Sequence, residues 1–147
     1  MAMKLLLGID PGESTGWASV TLSETGVLKV VGFGVSRDLT THELSDHISG
    51  SDLMIIESFL IDPAKSRTGA FDHSDMKTIQ VIGALKLQSR LHDTPFVEQS
   101  RSVKPVGYGY LRMTYVKGKK NMHSTDAMAH AVFWAVKHAG AKPLGIG

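Results

Sequence analysis

Apolar residues along this chain fall into short compact runs and longer periodic segments, a pattern typical of strands that alternate with helices. The short runs predict strands over residues 3–10, 16–22, 27–35, 52–57 and 95–98. The periodic segments predict helices that begin near residue 40 and that cover residues 71–91 and 123–138. This order predicts an α/β fold, in which a mixed five-stranded sheet carries helices on both faces.

Polar segments between these runs carry cap and turn signals. Thr40 is followed three residues later by Glu43, which is the spacing of a capping box at the start of a helix. Residues 62–70 contain Pro, Gly, Lys and Arg and predict a loop. Residues 100–122 are rich in Gly, Tyr and Lys and predict an irregular segment.

Length and composition fit one globular domain. The chain has 147 residues, of which 42% are hydrophobic, so we expect a single domain over residues 1–147 with residues 141–147 as a flexible tail. The absence of cysteine excludes disulfides, thiolate metal sites and cysteine nucleophiles. No apolar run approaches the roughly 20 residues that cross a bilayer. We therefore expect a cytoplasmic protein.

Charge is distributed unevenly, although the net charge is only +2. Residues 1–99 contain 8 Lys and Arg against 13 Asp and Glu, whereas residues 100–147 contain 8 Lys and Arg against one acid, Asp126. A basic half is typical of proteins that bind a polyanion such as nucleic acid. A solvated cationic surface would give the same distribution, so charge alone leaves both interpretations open.

Acidic residues stand where an α/β fold places its active crevice. Asp10 and Glu57 end two predicted buried strands, and such crevices lie beyond the carboxyl ends of parallel strands. Asp126 follows His123 by three residues and precedes His130 by four, so one helical face carries all three. A turn, a strand end or a helix cap explains each acid alone, but the set favours a divalent-cation site. We expect His130 to be a core or supporting residue rather than a ligand.

Three segments form motifs around these acids. They are GIDPG with TGWA at residues 8–12 and 15–18, MIIESF at residues 54–59, and HSTDAMAHA at residues 123–131. In this order and at these separations they resemble the motifs of RuvC-type Holliday-junction resolvases, which belong to the RNase H-like superfamily. The resemblance spans most of the chain and implies an RNase H-like fold.

The resemblance also implies a reaction. It assigns Asp10, Glu57, His123 and Asp126 as catalytic ligands of two Mg²⁺ ions, for which Mn²⁺ can substitute, and such paired ions act on the attacking water and the leaving oxygen. The implied enzyme is an endodeoxyribonuclease that cuts four-way or other branched DNA in recombination and repair. Resolution of a four-way junction requires two symmetric nicks, and one metal site makes one nick. We therefore expect a homodimer, with the apolar helix over residues 71–91 as its interface.

The chain departs from the family pattern in two places. The region between the last strand and the last helix is short, without the additional basic helix that is usual there. Phe59 stands two residues after Glu57, and Leu60 stands at the more usual third position for the aromatic wedge that opens a junction. The compact form resembles bacteriophage-encoded members, which implies a bacterial or phage-infected cell.

Basic and aromatic residues in two polar segments are candidate DNA contacts. They are Phe59, Lys65, Arg67, Lys104, Tyr108, Arg112, Lys117, Lys119 and Lys120. A solvated hairpin would explain the Tyr-rich and Lys-rich segment equally well.

Three other functions are consistent with parts of the pattern. A related RNase H-like nuclease that acts on RNA would carry the same acids. A non-catalytic binder of branched nucleic acid would lack a metal ligand, and no ligand is missing from the sequence. Actin-like ATPases share the Asp10-x-Gly12 signal, but they need two such domains, for which 147 residues leave no room.

Overall fold

The structure, a computed structural model, describes residues 3–60, 72–116 and 122–143. Its strands are β1 (Lys4–Asp10), β2 (Thr15–Leu22), β3 (Leu28–Ser36), β4 (Leu53–Glu57) and β5 (Phe96–Gln99). They form one sheet in the order β3-β2-β1-β4-β5. The pairs β1–β2 and β2–β3 are antiparallel, whereas β1–β4 and β4–β5 are parallel. The predicted mixed five-stranded sheet is confirmed.

Helices cover both faces of this sheet, as predicted. They are α1 (Ser45–Ser49), α2 (His73–His92), α3 (Lys104–Tyr110) and α4 (His123–His138), with 3₁₀ turns over His42–Leu44 and Arg101–Val103. On one face, α4 packs through Ala131 and Val132 against Leu6 and Ile55. The opposite face is covered by α1 and α2. The central strands β1 and β4 are therefore buried on both sides, which explains their continuous apolar sequences.

The helical segment after β3 begins differently from the prediction. The carboxylate of Asp38 accepts hydrogen bonds from the backbone N–H groups of Thr40 and Glu43, at 3.0 and 3.1 Å. The side chain of Glu43 instead accepts a bond of 2.7 Å from the hydroxyl of Ser36. The predicted capping box at Thr40 is therefore wrong, because an aspartate two residues earlier binds the same donors.

Residues 100–122 are not wholly irregular, because helix α3 forms within them. Pro105 stands in its first turn, where a helix tolerates proline. Two glycines in seven residues lower the intrinsic helix propensity, which hides the helix from the sequence pattern. One of them, Gly107, lets α3 lie directly on α4, since a Cβ at this position would be 2.4 Å from the carbonyl oxygen of Ala129. Packing on α4 thus overrides the local preference.

Residues after α4 turn back onto the sheet. Ala141 is buried, and its backbone N–H donates to the carbonyl of Ala135 at 3.1 Å. The N–H of Lys142 donates to the carbonyl of Gly26 at 2.8 Å. These contacts hold the first two residues of the predicted tail, and residues 144–147 lie outside the described part. Among the described helices, none combines the length and the apolarity that a bilayer-spanning segment requires.

Candidate metal centre

Two strand glycines determine how closely α4 approaches the sheet. A Cβ on Gly8 of β1 would lie 2.1 Å from the carbonyl oxygen of Ala127, and a Cβ on Gly16 of β2 would lie 2.1 Å from the backbone of His123. Real Cβ atoms never come so close, so only glycine permits this contact. The contact brings the first turn of α4, with Asp126, to the carboxyl end of β1, where Asp10 stands.

The structure brings together the four residues predicted as ligands. Asp10 ends β1 and Glu57 ends the neighbouring parallel strand β4, in which Ile56 pairs with Ile9 of β1. His123 and Asp126 lie in the first turn of α4, above the same edge of the sheet. The carboxylates of Asp10 and Asp126 are buried, and that of Glu57 is partly buried.

Asp10 and His123 form one pair within this cluster, with 2.9 Å between Oδ2 of Asp10 and Nδ1 of His123. Burial raises the pKa of Asp10 to about 6; the His123 contact acts in the opposite direction, and the charge of Glu57 adds to the rise. The pKa of His123 is raised chiefly by the same hydrogen bond. The carboxyl of Asp10 thus holds its proton at a pH where an exposed aspartate has lost it.

Lys104, predicted as a DNA contact, lies inside the acidic cluster. Its Nζ is 3.0 Å from Oε1 of Glu57 and 3.3 Å from Oδ2 of Asp126, and only 13% of its side chain is exposed. Burial disfavours the ammonium, but the carboxylates of Glu57 and Asp126 outweigh this effect and raise the pKa of Lys104. Helix α3, which the sequence pattern does not predict, carries this cation to the site. Lys104 is therefore a counter-ion of the carboxylates in this structure.

Tyr108 also differs from its prediction as a base-stacking residue. The residue is only 2% exposed, and its hydroxyl donates a 2.5 Å hydrogen bond to Oδ1 of Asp126. Burial and the Asp126 carboxylate raise the pKa of the phenol, which keeps it a proton donor. A stacking role is therefore wrong for this residue, because its aromatic face is covered within the protein. It orients Asp126 instead.

Glu57 is held by a second layer of side chains, His130 and Gln99, of which the sequence pattern selects only His130. His130 is fully buried, and its Nε2 lies 3.0 Å from Oε1 of Glu57. The other ring nitrogen, Nδ1, lies 2.9 Å from Nε2 of Gln99, the last residue of β5. Burial alone would raise the pKa of Glu57, but the hydrogen bond from His130 and the charge of Lys104 lower it to about 2. This position agrees with the sequence prediction that His130 is a core or supporting residue.

The donor chemistry of the cluster fits divalent cations. Carboxylate oxygens and an imidazole are ligands of Mg²⁺ and Mn²⁺, and a bound cation would favour the ionised form of Asp10, whose pKa burial raises. In the part of the chain that the structure describes, however, no three His, Asp or Glu side chains form a preassembled metal site. The contacts of Lys104 with Glu57 and Asp126, and of His123 with Asp10, occupy these ligand atoms.

Two cavities open beside the cluster, and each is lined by an arginine that is not among the predicted DNA contacts. The larger, about 430 Å³, lies between the β1–β2 turn and the start of α2 and is lined by His123 and Arg37. The smaller, about 100 Å³, is lined by Glu57, Phe59 and Arg101 among others. Both arginines are exposed, so they can meet an anion that approaches the carboxylates.

The remaining predicted DNA contacts are only partly described. Phe59 is partly buried, whereas the neighbouring Leu60 is 79% exposed. Arg112 is exposed just after α3 and has a left-handed backbone, with φ of 56°. The other predicted contacts lie outside the described residues: Lys65, Arg67, Lys117, Lys119 and Lys120.

Comparison with solved structures identifies the fold. The RuvC protein of Thermus thermophilus in complex with a Holliday junction substrate matches with a TM-score of 0.63 and 14% identity, over 95% of this chain and 99% of that chain. The Fowlpox virus resolvase in complex with Holliday junction DNA matches with a TM-score of 0.53 and 13% identity, over 92% of this chain and 97% of that chain. No family model and no curated protein sequence matches the chain. The chain therefore has the fold of the RuvC-type Holliday-junction resolvases.

Proposed function

We propose that this chain is a metal-dependent endonuclease that cuts four-way or other branched DNA. The observation that carries the proposal is the meeting of Asp10, Glu57, His123 and Asp126 at the carboxyl edge of the sheet. The structures of two resolvases with the same fold were solved in complex with Holliday junctions, which supports a branched-DNA substrate. The basic second half of the chain and the two exposed arginines beside the cluster supply the charge that a DNA backbone requires.

In this proposal, Asp10, Glu57, His123 and Asp126 hold two divalent cations. Such ions supply an activated water and stabilise the leaving oxygen of an in-line displacement. The chain's own residues set the geometry: Tyr108 orients Asp126 through its hydroxyl, and His130 orients Glu57. No side chain has to act as a covalent nucleophile.

Cleavage of synthetic substrates tests this function directly. We expect nicks in a four-way DNA junction with Mg²⁺ or Mn²⁺, less cleavage of a linear duplex of the same sequence, and none with EDTA. An RNA duplex and a four-way RNA junction form a further arm, because the same acids would serve an RNA nuclease. Cleavage of RNA but not of DNA would identify RNA as the substrate. Binding of junctions without cleavage would indicate a non-catalytic binder.

His123 is the ligand whose replacement distinguishes a metal role from a helix-start role. Imidazole is a poorer ligand of Mg²⁺ than carboxylate. We therefore expect His123→Asp to retain junction cleavage within about tenfold, and His123→Ala to lose at least the roughly 10–100-fold that removal of an outer-shell partner of a metal ligand costs. Mn²⁺ should stimulate the unmodified chain more than the Asp variant. Normal cleavage by His123→Ala would show that this side chain is not a ligand.

We further propose that the chain acts as a homodimer through α2. This helix buries Val81 and Leu85 against the sheet but exposes a second set of apolar side chains. That set comprises Met76, Ile79, Leu87 and Leu91, which are 39% to 69% exposed. Gly83 lies among them with no atom within 4 Å of its Cβ position, so a flat surface remains for a second copy.

A charge within this surface should separate the subunits. We expect Leu87→Glu to convert a dimer into a monomer, because the carboxylate would be buried without a partner in the interface. Light scattering at micromolar concentration measures the change, and Val31→Glu, at an exposed apolar residue of β3 away from this surface, is the matched control. A stable monomer of the unmodified chain that still nicks both strands symmetrically would contradict the dimer.

A further inference from the structure

Three side chains form a buried hydrogen-bonded series that ends on Glu57. Gln99, at the carboxyl end of β5, contacts His130 in the middle of α4, and His130 contacts Glu57 at the end of β4. Gln99 is 9% exposed and His130 is fully buried. The series therefore links two strands and a helix inside the protein and ends on Oε1 of Glu57, the oxygen that Lys104 also contacts.

The hydrogen bonds of Gln99 fix the position of the proton on His130. Nε2 of Gln99 lies 3.1 Å from the backbone carbonyl oxygen of His130, which can only accept, so the amide must present its NH₂ group on this side. The same nitrogen lies 2.9 Å from Nδ1 of His130 and donates its second hydrogen there. Nδ1 is thus the acceptor, and the ring proton lies on Nε2, which points at Glu57.

We propose that Gln99 and His130 are positioning residues for the metal-binding carboxylate of Glu57, an inference that rests on the proposed function. The Nε2–H group of His130 holds Oε1 of Glu57 at 3.0 Å and fixes the rotation of the carboxylate. Gln99 acts through His130, because without its NH₂ group the ring proton can move to Nδ1. Nε2 would then present a lone pair to the carboxylate and repel it.

The buried polar groups of this series indicate a role beyond core packing. A fully buried histidine has polar atoms that must be satisfied, and an aliphatic residue would fill the same space without that requirement. His130 uses one of its two ring nitrogens on Glu57 and the other on a residue that selects the tautomer. Groups that orient metal ligands in this way contribute about 10–100-fold to metal affinity or activity.

Substitutions at His130 separate donation from packing. His130→Gln keeps an N–H donor that can reach Glu57, whereas His130→Leu fills the space without one. We expect His130→Leu to weaken Mn²⁺ binding, measured by calorimetry, about 10–100-fold and to lower kcat for junction cleavage with little change in KM. His130→Gln should recover most of both, and His138→Leu, an exposed histidine at the other end of α4, should change neither.

Gln99→Leu provides a second, independent measurement if His130→Leu does not fold. It should weaken Mn²⁺ binding severalfold, and the double variant with His130→Leu should bind no more weakly than His130→Leu alone, since both act on one carboxylate. Unchanged Mn²⁺ affinity and kcat in Gln99→Leu and His130→Leu would overturn the positioning role, as would equal losses in His130→Gln and His130→Leu. If the unmodified chain neither binds Mn²⁺ nor cuts junctions, the proposed function fails, and this inference fails with it.

Discussion

Asp10→Asn is expected to abolish junction cleavage while the protein remains folded. The substitution replaces a ligand oxygen by an amide nitrogen and removes the negative charge that two cations would share. A loss of about 4 kcal/mol in transition-state stabilisation corresponds to about 1000-fold in rate, and we expect an effect of that size. Single-turnover cleavage of a labelled four-way junction with saturating Mg²⁺ measures it.

Junction binding should survive the same substitution. Phosphate contacts supply most of the affinity of a protein for DNA, and Asp10 repels phosphate rather than attracting it. The matched control is Asp93→Asn: Asp93 is exposed at the end of α2 with φ of 53°, a left-handed conformation that asparagine also adopts. Full cleavage by Asp10→Asn would contradict the metal assignment, and equal losses in both variants would indicate an effect of charge alone.

Gly8→Ala is expected to lower the free energy of unfolding by about 3 kcal/mol, at the upper end of the usual range for overpacking. The added methyl group would lie 2.1 Å from the carbonyl oxygen of Ala127, a backbone atom that cannot move without the whole of α4. Displacement of α4 carries Asp126 away from Asp10, so cleavage should fall together with stability. Urea unfolding followed by circular dichroism measures the first effect.

Gly32→Ala is the matched control for this effect. Gly32 also lies in a strand, but its Cβ position is 3.5 Å from the ring of Trp17, an ordinary contact distance. We expect a change within about 1 kcal/mol, as for substitutions that create no clash. Equal stability of the Gly8→Ala and Gly32→Ala variants would show that α4 does not lie against β1 as closely as the structure places it.

The features that could be predicted from the sequence are those that a local pattern specifies. Continuous apolar runs predict β1 and β4 because both faces of these strands are buried. Asp10 and Glu57 could be selected because strand ends of a parallel pair meet at one edge of a sheet. The spacing of His123 and Asp126 identifies one helical face without any knowledge of the fold.

The features that could not be predicted depend on contacts between distant segments. Helix α3 forms because Gly107 lets it lie on α4, and only this helix turns Lys104 and Tyr108 inward. Lysine and tyrosine are both typical of DNA-binding loops, so the sequence indicates a surface role for these two residues. No local sequence pattern selects Gln99, because its proposed role depends on a contact with His130, 31 positions away.

Because Lys104 already pairs with two of the proposed ligands, a cation would enter this site by exchange with its ammonium group. In the proposed reaction, a divalent ion that binds Glu57 and Asp126 has to displace an ammonium that already lies 3.0 and 3.3 Å from their oxygens. The apparent cation affinity is then a difference between two ion-pairing free energies, and it rises when the displaced ammonium finds another anion. Under the proposed function, a DNA phosphate at the site would be such an anion, so DNA and cation would bind with positive thermodynamic coupling, each raising the affinity for the other by the same factor.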